Sequence, residues 1–365
     1  MDPGDLDSVR LESREDPLAE LAGHVEAVGG ADAPADLERD PELGEVADPE
    51  EGRRLEELRA PGRIGAHPPP DLGDQPYYTR AEIEQGMAGM NPLFYQRMLK
   101  ELTEQIKLGD ELGYDSVSFT EHHFHIEGFE LSNNPVLLDL YFAMQTKRIR
   151  VGQLGIVLPA DNPIRVAEDI AMLDHMTGGR ANAGFARGYQ RRWVDIMAQQ
   201  THGIHGALPN QHDEIDNANR LAFEENFRIV KKCWTEEMLT HDGRFWKVPA
   251  GPTPWTLDTT TKWGKGVENG ILKSVGVVPK PLQKPHPPLF QPFASSENTV
   301  RFCAQESVTP ILPPMLPVYE EKLYSVYSEV SGKPRGQGVG VLRDVIICDT
   351  DEEAKALWRD SGQFS

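Results

Sequence analysis

The 365-residue chain has few cysteines: Cys233, Cys303 and Cys348 lie far apart and form no Cys-x-x-Cys motif. This spacing excludes a disulfide-stapled scaffold and a zinc ribbon, and it is typical of a reducing, cytoplasmic compartment. The longest largely apolar stretch, residues 151–160, has about half the length of a membrane span. No amino-terminal segment joins a basic start to an apolar run. The sequence therefore predicts neither a membrane helix nor a secretory signal.

Positive charge is also scarce, since 37 Lys and Arg stand against 58 Asp and Glu, for a net charge of −21. Such acidity excludes nucleic acid as the natural partner, because phosphates are repelled. The first 75 residues hold 21 of the acidic residues and 7 of the basic ones, with no aromatic residue before Tyr77 and no lysine before Lys100. We therefore predict a disordered acidic extension over residues 1–68, with at most weak helices at 17–28 and 49–58. A partner-binding arm is the alternative.

Strand-like and helix-like segments alternate from about residue 92 onward. The predicted strands are residues 116–119, 150–158, 181–185, 275–278, 289–293, 309–312 and 339–347. The predicted helices are residues 94–112, 135–145, 163–177 (capped by Asn162), 214–237, 298–306, 318–330 and 351–360. Repeated strand–helix pairs without a glycine-rich dinucleotide loop predict an α/β fold, specifically a (β/α)₈ TIM barrel over residues 69–365. Its chemistry should lie just after the carboxyl ends of the strands.

Three histidines follow the predicted strand 116–119, as His122, His123 and His125, directly after Glu121. Strand alternation would put His123 and His125 on one side and His122 on the other. No His-Glu-x-x-His helix accompanies them, so we predict no metal site. A neutral imidazole suits proton transfer or cofactor contact, which we favour over a purely structural role.

Two hydroxyls, Ser295 and Ser296, lead into the predicted helix 298–306. They fit either a simple helix N-cap or a phosphate cradle, because a helix N-terminus binds anions through free N–H groups. Arg187 follows the predicted strand 181–185 and would add positive charge at the same end of a barrel. Barrels often bind phosphate in their late loops, which favours the cradle.

Several segments resemble the bacterial luciferase-like flavin-dependent monooxygenases. They are Ser-Val-Ser-Phe-Thr-Glu-His-His-Phe at 116–124, Ile-Val-Leu-Pro at 156–159 with Asn-Pro-Ile-Arg-Val-Ala-Glu-Asp at 162–169, and Leu-Asp-His-Met-Thr-Gly-Gly-Arg at 173–180 with Gly-Phe-Ala-Arg-Gly-Tyr at 184–189. The likeness runs from about residue 68 to the end. The family implies a (β/α)₈ barrel that uses reduced flavin, here FMN, and dioxygen.

The resemblance also implies roles for individual residues. His122 matches the catalytic histidine beside the flavin, and Glu121 and His123 flank it. Arg187, Ser296 and Thr299 match contacts to the flavin phosphate. The expected cofactor site also includes Gly188, Tyr189 and Ser295.

Two departures from the family concern the barrel itself. Residues 59–67, before Pro-Pro-Asp-Leu at 69–72, form no convincing strand, and the chain stops where a last strand–helix unit is expected. We therefore predict a degenerate first strand and an incomplete carboxyl-terminal unit. An upstream start or a shifted reading frame is one origin for residues 1–68.

The sequence thus predicts a cytoplasmic flavin-dependent monooxygenase that oxidises an aldehyde-like or other small apolar compound with O₂. A separate flavin reductase and a homodimeric assembly are expected, without nucleic-acid or membrane partners. The alternatives are a deazaflavin-dependent hydride-transfer enzyme of the same superfamily and a non-catalytic or truncated subunit.

Overall fold

The computed structural model describes residues 86–361, apart from residues 129, 202, 209 and 210. The predictions for residues 1–68, and the domain boundary at residue 68, lie outside these residues. None of the described helices is long and apolar enough to cross a membrane.

Helices and strands alternate along the described chain. The helices are α1 (Pro92–Leu112), α2 (Pro135–Ala143), α3 (Pro163–Met176), α4 (Arg191–Met197), α5 (Glu214–Thr235), α6 (Asp258–Trp263), α7 (Glu297–Glu306), α8 (Pro317–Ser331) and α9 (Asp351–Ser361). The strands are β1 (Ser116–Phe119), β2 (Arg150–Gln153), β3 (Ile156–Val157), β4 (Ala181–Ala186), β5 (His241–Asp242), β6 (Lys247–Val248), β7 (Thr253–Pro254), β8 (Val267–Glu268), β9 (Ile271–Leu272), β10 (Leu289–Gln291), β11 (Thr309–Leu312) and β12 (Gly340–Val341).

Seven strands form one parallel sheet in the order β1-β2-β4-β10-β11-β12, with β3 also paired to β4. Helices α2, α3, α7 and α8 each connect consecutive strands of this sheet. The excursion between α5 and β10 contains two small antiparallel sheets, β5-β6 and β7-β9-β8. This is a TIM-barrel-like α/β arrangement, as predicted, and all carboxyl ends of the parallel strands meet at one edge.

Three helices begin with the same Asn-Pro pair, which fixes their starting points. The side chains of Asn91, Asn134 and Asn162 accept hydrogen bonds from backbone N–H groups of the first helical turn, and proline follows each of them. Proline suits this position because its missing N–H would have no partner in the helix. The predicted start of α3 at Asn162-Pro163 is therefore confirmed.

The main apolar core lies between the sheet and helices α3, α5, α7 and α8, and includes the fully buried Ile170, Phe185 and Phe227. A smaller core joins α1 to α2 through Ile106 and Phe142. Each such side chain contributes about 1.5–3 kcal/mol by leaving water. The carboxyl edge of the sheet is thereby held on rigid elements.

Residues 150–158 do not form one continuous strand as predicted. Gly152 pairs with Asn182, whereas Ile156 pairs with Phe185, so one extra residue is accommodated between β2 and β3. Such an insertion bends a strand and re-aims the side chains after it. Residues 158–160 then form a 3₁₀ helix.

Two other strand predictions are wrong. Residues 275–278 contribute only an isolated bridge between Val275 and Leu239, because Val278 is 70% exposed and proline follows it. The strand predicted at 339–347 is limited to β12. Val345 and Ile347 beyond it are 75% and 87% exposed, so they bury no apolar face that would hold them to the sheet.

Candidate functional site

The chain turns sharply after β1, and this turn groups the histidines differently from the prediction. Strand pairing ends at Phe119, and Phe124 has a φ of 63°, in the left-handed region. Alternation is therefore lost, and the prediction that His123 and His125 share one side is wrong. Instead, the rings of His122 and His125 lie edge to face, with their centroids 5.5 Å apart.

His122 is buried against polar partners from two other segments. Its Nδ1 lies 3.2 Å from Oε2 of Glu130 and 3.4 Å from Nε2 of Gln190. The same Gln190 side chain, through Oε1, lies 3.0 Å from Nε2 of His125. Gln190 lies four residues after the end of β4, directly before α4, so the loops after β4 and β1 meet at His122.

The surroundings of His122 have opposing effects on its pKa. Burial lowers the pKa of His122 most strongly, and the neighbouring His125 lowers it further, while the charge of Glu130 raises it. The net effect is a lowered pKa, so the imidazole is mainly neutral at neutral pH. Its Nε2 makes no hydrogen bond to the described residues, which leaves that atom available to a ligand.

Glu121 and His123 form a second pair beside this cluster. Nε2 of His123 lies 3.0 Å from Oε1 of Glu121, and Oε2 of Glu121 accepts the backbone N–H of Val157 at 2.7 Å. The His123 ring also packs on the buried Trp193 of α4, with centroids 4.9 Å apart. Both oxygens of the buried carboxylate are thus used to hold His123 and β3 in place.

Asp161 adds a further acid beside this pair, directly after the 3₁₀ helix at 158–160. Burial raises the pKa of Asp161 well above its usual value, and the negative charges of Glu121 and Asp169 raise it further. The raised pKa favours the protonated form of Asp161 beside Glu121.

Arg187, the predicted phosphate ligand, is paired with α5. Its Nη2 donates to the Asp216 carboxylate at 2.5 Å and to the Asp216 carbonyl at 3.0 Å, and its Nε donates to Asn219 at 3.0 Å. Burial lowers the pKa of Arg187, and the pairing with Asp216 opposes that effect. Nη1 of Arg187 makes no hydrogen bond to any described residue. This N–H group can therefore bind an anion.

Gly188 and Tyr189 shape the turn after β4. Gly188 has a φ of 76°, and a Cβ there would lie 2.5 Å from Cγ1 of Val157, so a side chain does not fit. Tyr189 is 47% exposed, and its hydroxyl accepts a hydrogen bond from Gln190 at 3.1 Å. Tyr189 is therefore linked to His122 through Gln190, whereas Gly188 packs closely against Val157.

Ser296 is the N-cap of α7. Its hydroxyl accepts the backbone N–H of Thr299 at 3.2 Å and lies 2.9 Å from the Thr299 hydroxyl. Ser295 is exposed, and its backbone N–H donates to the carbonyl of Phe293 at 2.9 Å. This geometry is compatible with both roles considered for the hydroxyls, as a helix N-cap and as ligands of a phosphate.

The donor set at this edge fits a flavin phosphate. β4 and β10 are neighbours in the sheet, so the segment with Arg187 and the segment with Ser296 leave the same edge side by side. One charged N–H group (Nη1 of Arg187), the hydroxyls of Ser296 and Thr299 and the helix N-terminus are the groups that bind phosphate oxygens. The carboxylate of Asp216 offsets part of the positive charge.

Glu130, Gln190 and Asp161 were not predicted as site residues. Gln190 is 68 positions from His122 in sequence, and Glu130 lies in a loop without any periodic pattern. Their positions in the sequence could have indicated Gln190 and Asp161, because both lie in polar segments that follow β4 and β3. Asp174 and His175, on α3, have separate partners in Gln283 and the Lys280 carbonyl, and they take no part in the site.

The sequence resembles known proteins over most of its length. It is 30% identical over 169 residues to an alkanal monooxygenase alpha chain of Photorhabdus laumondii subsp. laumondii, which covers 45% of this chain and 42% of that protein. It is 25% identical over 274 residues to the oxygenase component of a flavin-dependent trigonelline monooxygenase of Acinetobacter baylyi, which covers 74% of this chain and 65% of that protein. The matched part of the chain thus spans only about two fifths to two thirds of these relatives' length.

A solved structure shares the fold. The oxygenating constituent of 3,6-diketocamphane monooxygenase of Pseudomonas putida, solved with FMN, has a TM-score of 0.54 at 22% identity, covering 73% of this chain and 67% of that one. The sequence model of the luciferase-like monooxygenases matches residues 79–362. The chain therefore belongs to the luciferase-like monooxygenase family.

Proposed function

We propose that the protein is the oxygenase of a flavin-dependent monooxygenase system, which oxidises a small apolar organic substrate with O₂ and reduced FMN. The observation that carries this proposal is the placement of a buried histidine, whose Nε2 makes no hydrogen bond to the described residues, at the carboxyl edge of a parallel sheet in a chain of this family. The relatives named above are a flavin-dependent monooxygenase and an alkanal monooxygenase.

Several finer features belong to the same proposal. The parallel sheet would be part of a (β/α)₈ barrel with a degenerate first strand and an incomplete carboxyl-terminal unit. A separate reductase would deliver the reduced flavin, as the designation "oxygenase component" of one relative suggests. The protein would act as a cytoplasmic homodimer.

Bound reduced flavin would supply the electrons that activate dioxygen. His122 would accept a proton at Nε2 when its Nδ1–H donates to Glu130, and would donate one when Nδ1 accepts from Gln190. Glu121 and His123 would fix the loop against Trp193 and β3, and thereby exclude water from one wall of the site. Nη1 of Arg187 and the hydroxyls of Ser296 and Thr299 would bind the phosphate.

The decisive experiment combines reduced FMN, isotopically labelled dioxygen and a panel of aldehydes, ketones and other small apolar compounds. We expect one labelled oxygen atom in the product of at least one compound, detected by mass spectrometry. Oxidation of a substrate only with a deazaflavin and without label would favour the hydride-transfer alternative. If the chain binds neither FMN nor a deazaflavin, both the monooxygenase proposal and the hydride-transfer alternative are contradicted.

The phosphate assignment has a matched variant in Ser296→Asp. Aspartate preserves the N-cap of α7 but places a negative charge against the phosphate, so FMN should bind at least about tenfold more weakly while riboflavin binding is unchanged. Unaltered thermal unfolding would verify that the cap is intact. Equal losses for FMN and riboflavin would reject the phosphate site at α7.

A further inference from the structure

His122 of the proposed site and two neighbouring side chains place possible metal-ligand atoms close together. Nδ1 of His122 lies 3.2 Å from Oε2 of Glu130, and the same oxygen lies 3.6 Å from Nε2 of His125. The three atoms all lie within 4.8 Å of one another. We call His122, His125 and Glu130 the His–His–Glu cluster.

Gln190 now contacts both rings of this cluster, since its Nε2 lies 3.4 Å from Nδ1 of His122 and its Oε1 lies 3.0 Å from Nε2 of His125, and a bound cation would replace these contacts. Nδ1 of His122 can accept the N–H of Gln190 or donate to Glu130, but one nitrogen cannot do both. When it accepts from Gln190, a lone pair and a carboxylate oxygen face each other at 3.2 Å. Either a proton on Nδ1 or a positive ion between the two atoms removes this repulsion.

Two imidazoles and one carboxylate are the ligands that divalent transition metals prefer, and such three-residue sites keep positions open for water. Access is provided by Glu130, whose side chain is 44% exposed. The adjacent Glu121 and His123 pair with each other instead. The cluster in the structure excludes both of these residues and recruits Glu130.

We propose that the His–His–Glu cluster binds a zinc-like divalent ion and that this ion inhibits the enzyme. A metal on Nδ1 of His122 requires the ring proton to be on Nε2. The ring could then donate a proton at Nε2 but could no longer accept one there. The inhibitory part of the proposal rests on the proposed function of His122, whereas the binding part rests on the cluster alone.

Binding is tested on the full, tag-free chain after treatment with a chelator. Equilibrium dialysis against Zn²⁺, and the visible spectrum of bound Co²⁺, should show one ion per chain. Glu130→Gln and His125→Ala should each weaken binding at least about tenfold, since even the loss of outer-shell partners has such effects. His123→Ala is the matched control, because it removes a neighbouring histidine outside the cluster and should leave the affinity unchanged.

Activity is measured separately, as substrate-dependent oxygen uptake with reduced FMN. Zn²⁺ should inhibit the wild type, and chelator should restore the rate. Absent binding, or equal binding by wild type, Glu130→Gln and His125→Ala, would overturn the site. Specific binding without inhibition of an active enzyme would overturn the inhibitory role. A chain that binds Zn²⁺ specifically but has no flavin-dependent activity would leave the cluster supported and refute only the proposed function.

Discussion

At the scale of single residues, the two adjacent histidines have different surroundings although they follow the same strand. His122 faces Gln190 and Glu130, whereas His123 is held by Glu121 and packs against Trp193. A residue whose ring nitrogen is free can exchange a proton with a ligand, whereas one clamped on both sides can only position its neighbours.

His122→Ala should therefore remove proton transfer while leaving the fold and FMN affinity nearly intact. We expect product formed per O₂ consumed to fall steeply, with hydrogen peroxide released instead, because a general acid–base group typically contributes ~10²–10⁴-fold in rate. The measurement is a single turnover with reduced FMN and a substrate found in the panel. If His123→Ala uncouples the reaction while His122→Ala does not, the two roles are reversed.

The sequence could predict Glu121, His122 and His123 as site residues because they follow a short β-like run. It could not predict their grouping, because the left-handed backbone at Phe124 depends on how this loop packs. Likewise, Arg187 was identified as a cation near the edge, but its pairing with Asp216 joins residues 29 positions apart. Such long-range pairings leave no local pattern in one sequence.

At the scale of secondary-structure elements, the sequence predicted bounds well where capping residues and short apolar runs determine them. The bounds of β1 and β11 match the prediction, and α7 and α8 differ by one residue at their ends. The bulge between β2 and β3 was missed because it depends on pairing with β4. The wrong strand at 275–278 shows that apolar residues alone do not make a strand when proline follows.

The packing of α2 on β2 contains a buried acid with incomplete hydrogen bonding. Oδ2 of Asp139 accepts from Nε2 of Gln153 at 2.5 Å, while Oδ1 of Asp139 and Oε1 of Gln153 are buried without a partner among the described residues. Burial raises the pKa of Asp139 to about 8, although the Gln153 side chain and the Gly152 N–H oppose this effect. A proton on Oδ1 of Asp139 would turn one of these two unpartnered acceptors into a donor.

This acid should make stability fall with rising pH. The folded pKa of about 8 exceeds the unfolded value of about 3.9, so folding takes up a proton between them. The stabilisation is complete below about pH 4 and is lost as the pH rises through 8, with a slope of at most about 1.4 kcal/mol per pH unit. Asp139→Asn should flatten that slope, measured by urea unfolding from pH 5 to pH 8.

Asp110→Asn is the matched control for this prediction. Asp110 is also buried, and burial tends to raise its pKa, but backbone N–H groups of Lys147, Ile149 and Arg148 lower it overall. Asp110 therefore stabilises the fold at pH values above its pKa in the unfolded chain. This stabilisation is lost only as the pH falls through its pKa in the folded protein. Asp110→Asn should destabilise the protein at all pH values from 5 to 8 without changing the slope. An unchanged slope in Asp139→Asn would show that Asp139 is ionised in the folded protein.

At the scale of the whole molecule, the chemistry and the excess charge occupy different parts of the chain. The match to the family begins at residue 79, and the described site lies between residues 121 and 299. The first 75 residues hold 21 of 58 acidic residues but no aromatic side chain. A segment of this composition has little apolar surface to bury against a domain.

A variant that lacks residues 1–68 should therefore keep its thermal stability and its FMN affinity. We expect the Tm to change by no more than about 2 °C, which corresponds to less than about 1 kcal/mol for a domain of this size. The control is a deletion that extends to residue 105, because it removes Leu99 and Leu102 of α1, which pack against the core formed by Ile106 and Phe142. That longer deletion should lower the Tm by much more, in differential scanning calorimetry of both variants. A large loss on removing residues 1–68 alone would mean that this acidic segment packs on the domain, contrary to what its composition predicts.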